Sequence, residues 1–567
     1  MTAVDLLDGL DAQQREAVVE ERLPLAILAP AGSGKTRVLT RRIAHRLERG
    51  LDDAGRVLAI TFTRAAAEEL KVRLRSLGVR DRVHSGTIHA IARAELVAYA
   101  DDRRRAAPVV LGDPLVLLKE LEPTMAYELR DELAWARAQL LGAEEYVAAG
   151  RNTKTPPGRL AEAMVRYATA KRQRGLADFD DLLELATTRF LDDPAWRDGR
   201  RYWRGRPYVD EFQDVSPLQV RFLRSLLGDD AQLCVVGDPN QAIYGFNGAD
   251  PDYLRRFEHH FPGAVTIELT NSYRSTPGIV EGATRLLRNV NERVAVTAVR
   301  EPGAVPTITA VDDPGAEVAH LGRVLVDRHL PGRPWSAQAV LVRTRAQLTP
   351  IAEALAALRI PHRVLGGEAV ESPAMRRAIR RLRSSKLPYR QALAALAAER
   401  ADLADDTDPD DPEAPDVVDV LLAAADDYER TGGRPSTDGL VAWLTLAGIA
   451  EARDDAVALA TFHGAKGLEW DVVHLAGAED GLVPGWWART PPEAAEERRL
   501  FYVACTRARD ELHVTWARTR ESGGRLRNRA RSPYLDDLAQ ALADHARLTA
   551  PIDGRSEIAR LRERMRS

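Results

Sequence analysis

Leu25-Ala26-Ile27-Leu28-Ala29-Pro30-Ala31-Gly32-Ser33-Gly34-Lys35-Thr36 is the stretch that decides the fold. Four apolar residues open it and read as a short buried strand. Behind it, Arg37 to Arg49 carries apolar residues at Val38, Ile43, Ala44 and Leu47, the spacing of a helix with one buried face. Between the two lies a glycine-rich loop ending in Lys-Thr, a phosphate-binding loop in its required context of strand before and helix after. Gly32 and Gly34 let backbone N–H groups close around phosphate oxygens, and the helix N-terminus adds the positive end of its dipole. Lys35 is expected to neutralise the β- and γ-phosphates and the Thr36 hydroxyl to hold Mg²⁺. The whole loop from Ala29 through Pro30, Ala31 and Ser33 to Thr36 is therefore a candidate nucleotide cradle, although Ala29 stands where the usual pattern begins with glycine.

A second stretch completes the chemistry. Val209-Asp210-Glu211-Phe212-Gln213-Asp214 places two adjacent carboxylates after a short apolar run that Arg206-Pro207 interrupts. Asp210 is expected to bind Mg²⁺, and Glu211 to polarise the water that attacks the terminal phosphate. Together the two stretches predict hydrolysis of a nucleoside triphosphate.

The bulk numbers narrow the class. At 567 residues the chain is too long for one core and should form several domains. Apolar residues make up 45% and charged residues 29%, the balance of a globular protein. No apolar run approaches the roughly 20 residues of a membrane span. The acidic start, Met1-Thr2-Ala3-Val4-Asp5, is not that of a signal peptide, so a cytoplasmic location is expected, with no membrane partner. Cys234 and Cys505 are too few for a zinc or iron–sulfur site. A net charge of −4 announces no nucleic-acid binder, but arginines cluster at 166–174, 376–383 and 518–531, and 399–419 is acidic. A groove that grips a phosphate backbone needs local positive charge rather than a basic average. Only seven basic residues are lysines, and two of them are Lys35 and Lys466.

Further stretches follow in a fixed order. Leu10 to Val18 contains Gln14; Ile60-Thr61-Phe62-Thr63-Arg64 precedes Gly86-Thr87-Ile88-His89; Asp178-Phe179-Asp180-Asp181 precedes the carboxylate pair. Val236-Gly237-Asp238-Pro239-Asn240-Gln241-Ala242-Ile243-Tyr244 and Asn271-Ser272-Tyr273-Arg274-Ser275 come after it. Val340 to Gln347, Thr461-Phe462-His463-Gly464-Ala465-Lys466-Gly467-Leu468-Glu469-Trp470 and Glu496 to Ala508 complete the series. This order resembles superfamily 1 DNA helicases of the UvrD/Rep/PcrA type over roughly residues 8 to 538, most closely in the last two stretches.

The resemblance implies an α/β protein with two RecA-like parallel-sheet motor lobes and a mainly helical insertion in each. Lobe 1 would comprise 1–90 and 205–268, with 91–204 as its insertion; lobe 2 would comprise 269–383 and 456–538. The second insertion, 384–455, is much shorter than the family's accessory domain and includes the acidic run, and 539–567 would be a tail with a short amphipathic helix at 555–566. By resemblance, Gln14 reads the adenine edge, Tyr273 stacks on adenine with Arg37 nearby, Gly467 and Glu469 contact the nucleotide, and Gln241 couples the γ-phosphate to the DNA track. Arg274 and Arg507 would be arginine fingers, supplying positive charge where negative charge develops. Phe62, Phe179, Tyr244 and Phe246 suit a stacking platform for unpaired bases, with Thr87, His89 and His463 as polar contacts. Gly245-Phe246-Asn247 departs from the family's aromatic-Arg pair and removes one expected contact. The arginine pairs 376/380 and 377/381 fit either a DNA-backbone contact or a solvated helix face.

The expected activity is Mg²⁺- and ATP-dependent movement along single-stranded DNA, 3′→5′ by resemblance, with unwinding of tailed duplexes in repair or replication. The alternative is a motor that strips proteins from DNA, or serves a partner such as a repair factor or nuclease, without unwinding by itself.

Overall fold

The computed structural model describes residues 5–79, 83–228, 232–288, 295–365, 373–385, 387–398, 455–522 and 525–549, with scattered positions between 418 and 440. The acidic run at 399–419, apart from Val418, and the tail helix at 555–566 lie outside the described residues. The chain divides into two compact units. One comprises Met1–Pro30, Gly34–Leu269 and Leu365–Asp454; the other comprises Ala31–Ser33, Thr270–Val364 and Asp455–Ser567. Residues 365–454 thus group with the first unit, although the resemblance assigns them to lobe 2 and its insertion.

The first unit is built on six strands: β1 (Leu25–Leu28), β2 (Val57–Thr61), β3 (His84–Thr87), β4 (Arg206–Val209), β5 (Cys234–Gly237) and β6 (Val265–Glu268). They form one parallel sheet in the order β3-β2-β4-β5-β1-β6. Parallel strands need crossover helices on both faces, which is why β1, β2 and β5 read as continuous apolar runs. One core face holds Val38, Leu39 and Ile43 of the helix that follows β1, and the other holds Phe212, Phe222 and Leu226. Pro207 does not break β4; it lies within the strand and pairs in register with Leu58.

From Ile88 to Arg204 the regular elements are helices apart from two two-residue strands, Val109–Val110 and Leu176–Ala177. Its largest helix, Pro157–Arg174, buries Leu160, Met164 and Tyr167. Lys171 on this helix is buried in ion pairs with Asp178 and Asp181, and Arg137 reaches Asp181 at 2.8 Å. Buried cations require such partners, so this network ties the helical segment to the stretch that precedes β4.

The second unit repeats the plan with β7 (Thr307–Val311), β8 (Gln338–Val342), β9 (His362–Val364), β10 (Val457–Thr461), β11 (Trp470–Ala476) and β12 (Ala508–Ala517). Its parallel order is β7-β12-β11-β8-β10-β9. Helix Pro491–Cys505 begins with a Thr490 capping box and buries Leu500, Phe501 and Val503. The arginine pairs fall on helix Pro373–Ser384, where Arg380 is exposed; the side chain of residue 376 lies outside the described residues. Among the described residues no helix is long and apolar enough to cross a membrane.

Candidate nucleotide and DNA sites

At the carboxyl end of β1 the chain turns through Gly32 (φ 78°) and Gly34 (φ 82°), left-handed conformations that glycine adopts without steric cost. A Cβ at Gly34 would come within 3.2 Å of the Gln14 side-chain nitrogen, so the loop needs the missing side chain as well as the φ. The helix Lys35–Glu48 then starts with no side chain capping its first N–H groups, leaving them to a ligand. The segment carrying Gln14 is fastened to this helix through guanidinium bonds: Arg37 donates to Gly9 O at 2.9 Å, Arg41 to Leu6 O at 3.0 Å and Arg42 to Ala17 O at 2.9 Å. Arg37 is thereby placed beside Gln14's segment.

The carboxylate pair lies at the end of β4. The Thr36 hydroxyl reaches Asp210 Oδ2 at 3.4 Å, and Lys35 Nζ lies 3.4 Å from Ala29 O. Asp210 is buried, and burial together with the adjacent Glu211 raises its pKa to about 7 even though Lys35 pulls it down. Burial raises Asp238 as well, again against Lys35 and a bond from Gln241. This anionic pocket, beside a threonine hydroxyl and a phosphate-binding turn, fits a nucleotide with a divalent cation: the cation would relieve the carboxylate crowding and the turn would take the phosphates.

Glu211 has φ 52°, rare for a residue with a side chain. That turn brings Gln213 back so that its amide nitrogen donates to Glu211, while its oxygen accepts the Asp238 N–H at 3.0 Å. Asp238 in turn accepts from Gln241 Nε2 at 2.7 Å. Glu211, Gln213, Asp238 and Gln241 are therefore one buried chain of hydrogen bonds between the ends of β4 and β5. Sequence reading named the outer two and missed the inner two; the amide in Asp-Glu-Phe-Gln, two residues beyond the base, was the available signal.

In the second unit, Arg274 Nε donates to Glu469 at 2.6 Å and Arg274 Nη1 to Thr506 O at 3.3 Å. Glu469 thus pairs with Arg274 and, at 3.3 Å, with Arg509. Arg507 is 1% exposed, with its guanidinium bonded to Val503 O (2.9 Å) and Leu468 O (3.2 Å). Tyr273 is partly exposed, its N–H bonded to Gly32 O, and Gly467 turns at φ 87°.

The expected DNA contacts divide by environment. Phe62 and Phe179 are partly buried against the core of the first unit, and Phe179 packs edge-to-face on His89 at 6.3 Å. Thr87 caps helix Ile88–Asp102 by accepting the Ala90 N–H. Phe246 is 52% exposed and packs on the more buried Tyr244 at 6.1 Å. In the second unit, burial, with Arg343 nearby, pushes His463 down to about 4, so it is a neutral imidazole.

Residues 10–262 match the family of the UvrD/REP helicase N-terminal domain, and residues 370–519 that of the UvrD-like helicase C-terminal domain. The ATP-dependent DNA helicase UvrD2 of Mycobacterium tuberculosis is 38% identical over 95% of this chain and 83% of its own length. DNA helicase II of Escherichia coli is 28% identical over 96% of this chain and 90% of its own. UvrD1 of M. tuberculosis is 29% identical over 97% and 87%.

Proposed function

The chain belongs to the UvrD/Rep helicase family, an ATP-driven DNA helicase of superfamily 1, and from that premise we propose that it tracks 3′→5′ along single-stranded DNA and opens tailed duplexes in repair or replication. The observation that carries the motor chemistry is the approach of Thr36 to Asp210 beside Lys35, with Glu211 turned into a left-handed conformation next to it.

Bound ATP with Mg²⁺ supplies the phosphoanhydride to be broken and neutralises its charge. Ala29 to Thr36 would hold the phosphates, with Lys35 as fixed positive charge, and Thr36 and Asp210 would hold the metal. Gln14, Arg37, Tyr273, Gly467 and Glu469 serve the base and ribose side. Glu211 orients the attacking water and accepts its proton, held in place by Gln213. Arg274 and Arg507 stabilise developing negative charge, a role that polar groups set in advance perform without reorganisation. Gln241, bonded to Asp238, carries the state of the nucleotide toward Tyr244 and Phe246, three and five residues further on. Phe62, Thr87, His89, Phe179 and His463 complete the DNA track. We assign 1–90 and 205–268 to one motor lobe, 269–383 and 456–538 to the other, and 91–204 and 384–455 to their insertions.

The test is ATP hydrolysis with and without single-stranded DNA, on the parent protein and Lys35→Ala, followed by displacement from 3′- and 5′-tailed duplexes. DNA-stimulated hydrolysis lost in Lys35→Ala, with displacement on the 3′-tailed substrate, is expected. Stimulated hydrolysis without displacement of either substrate favours the second reading, a translocase that strips proteins or serves a nuclease, for which the short second insertion speaks.

A further inference from the structure

Two adjacent indoles stand on the surface of the second unit, in the loop between β11 and helix Pro491–Cys505. Trp486 is 68% exposed and Trp487 38%, and they meet edge-to-face at 5.8 Å. Single apolar residues on a surface need no explanation; a pair of the largest apolar side chains held out by a braced loop does.

The loop is braced at several points. Val483 N–H donates to Glu479 O at 2.9 Å, Trp486 N–H to Gly481 O at 3.1 Å, and Ala488 N–H to Gly485 O at 2.9 Å. Gly485 N–H donates to Glu497 Oε2 at 3.0 Å, and the same buried carboxylate accepts Arg343 Nε at 3.0 Å. A Cβ at Gly485 would lie 2.3 Å from the Trp487 ring, so that indole rests directly on the loop backbone. The Arg343 guanidinium lies 4.8 Å from the same ring's centroid. Trp487 is thus the packed support and Trp486 the presented ring.

A guanidinium stands beside the exposed ring. Arg489 lies 5.8 Å from the Trp486 centroid, is exposed, and forms no ion pair among the described residues. Arg343 also bears electrostatically on His463, so the patch adjoins a residue assigned above to the DNA track. A flat ring open to solvent with an exposed guanidinium beside it matches a ligand with π faces strung on phosphates.

We propose that Trp486, supported by Trp487 and flanked by Arg489, is a base-stacking site for single-stranded DNA on the second unit. The proposal rests on the DNA-motor reading and adds to it a contact outside the motifs that carry the family resemblance. A protein partner is the rival occupant, disfavoured by the exposed guanidinium beside the presented ring.

The test compares two labelled oligonucleotides, oligo(dT) and a strand of equal length made of abasic spacers, titrated with the parent, Trp486→Ala, Trp486→Phe and Arg489→Ala. The parent is expected to prefer oligo(dT). Trp486→Ala should weaken oligo(dT) binding by about 5- to 100-fold with spacer binding unchanged, and Trp486→Phe should retain most of the affinity. Arg489→Ala should weaken both strands and lower the salt slope by about one phosphate contact. Trp486→Ala binding oligo(dT) as the parent does, or weakening both strands equally while melting at the parent's midpoint, overturns the proposal while leaving the motor reading intact. A parent that binds neither strand overturns both. Comparing two strands with one variant separates a stacking loss from a folding defect, because a misfolded variant loses both.

Discussion

The Gln213 side chain accepts the Asp238 backbone N–H at 3.0 Å, joining the end of β4 to the end of β5 through a single buried amide. Its other atom donates to Glu211, so one residue fixes both the assigned base and the turn that carries Gln241. Removing the amide takes the acceptor from a buried N–H and one hydrogen bond from the Glu211 carboxylate. Gln213→Ala is therefore expected to lower DNA-stimulated kcat by about 10²-fold through misplacement of Glu211. It should leave the KM for ATP nearly unchanged and cost about 1–3 kcal/mol of stability. Steady-state hydrolysis with a denaturant melt checks both; unchanged kcat would show that Glu211 is held by other means.

Arg274 and Arg507 share an assigned role but not an environment. Arg274 bonds to a half-exposed Glu469, whereas Arg507 is buried against backbone carbonyls. Arg274→Ala should lower hydrolysis by about 10³-fold, as loss of an arginine finger does, with a stability change under about 1 kcal/mol. Arg507→Ala removes charged hydrogen bonds from the interior as well, so its rate loss should come with destabilisation of about 1.5–3 kcal/mol. Equal melting midpoints for the two variants would contradict this division.

These contrasts show where sequence was enough. The turn at Gly32–Gly34 and the pair Asp210-Glu211 are contiguous, so their residue types alone announce phosphate and metal chemistry. The two parallel sheets were expected from the resemblance, and the structure shows why it holds: Val57–Thr61, Gln338–Val342 and Val457–Thr461 are dominated by apolar residues, as fully buried strands must be. The role of Gln213 was not legible, because it depends on the positive φ of Glu211, a conformation no local preference of glutamate predicts. Nor was the pairing of Glu469 with Arg274, 195 residues apart. Trp486 and Trp487 follow an ordinary Pro-Gly turn, and only the packing of Gly485 and Arg343 on one indole shows that the other is presented.

The aromatic residues expected in the DNA track should separate under mutation. Phe246 is exposed, so Phe246→Ala is expected to weaken single-stranded DNA binding by about 1–3 kcal/mol, the worth of one stacked base, without lowering the melting midpoint. Phe62 packs against the core, so Phe62→Ala should destabilise the protein by roughly 1–3 kcal/mol through lost burial. Anisotropy titrations paired with thermal melts distinguish the two. Loss of stability in Phe246→Ala with full DNA affinity would remove that residue from the track.

Acid should act on the second unit through His474. Its ring is buried in β11, both ring nitrogens lack a hydrogen-bond partner, and it stacks on His513 of β12 at 5.1 Å. Burial, then His513, with lesser contributions from His320 and Arg328 opposed by Glu511, holds its pKa well below the usual histidine range. The folded protein therefore keeps His474 neutral while the unfolded chain takes up a proton near pH 6.5. Stability from this group is complete above that pH and is lost as pH falls toward the folded value, with a slope of up to about 1.4 kcal/mol per pH unit. Burial also lowers His463, His320 and His45, which add slope of the same sign. Glu511 is held low by His513, Arg333 and Arg328, so its own contribution is lost only below the ordinary carboxylate range, near pH 4. Asp210, Asp238 and Glu479, raised by burial, add slope of the opposite sign to both proteins, so denaturant melts between pH 5 and 7, a window taken from the unperturbed histidine value, are read as the difference between the parent and His474→Leu on acidification. His474→Leu should lose less by one proton's share, because leucine fills the site without a group to protonate. Parallel pH profiles for the two proteins would show that His474 takes up its proton in the folded state and that burial does not hold it neutral.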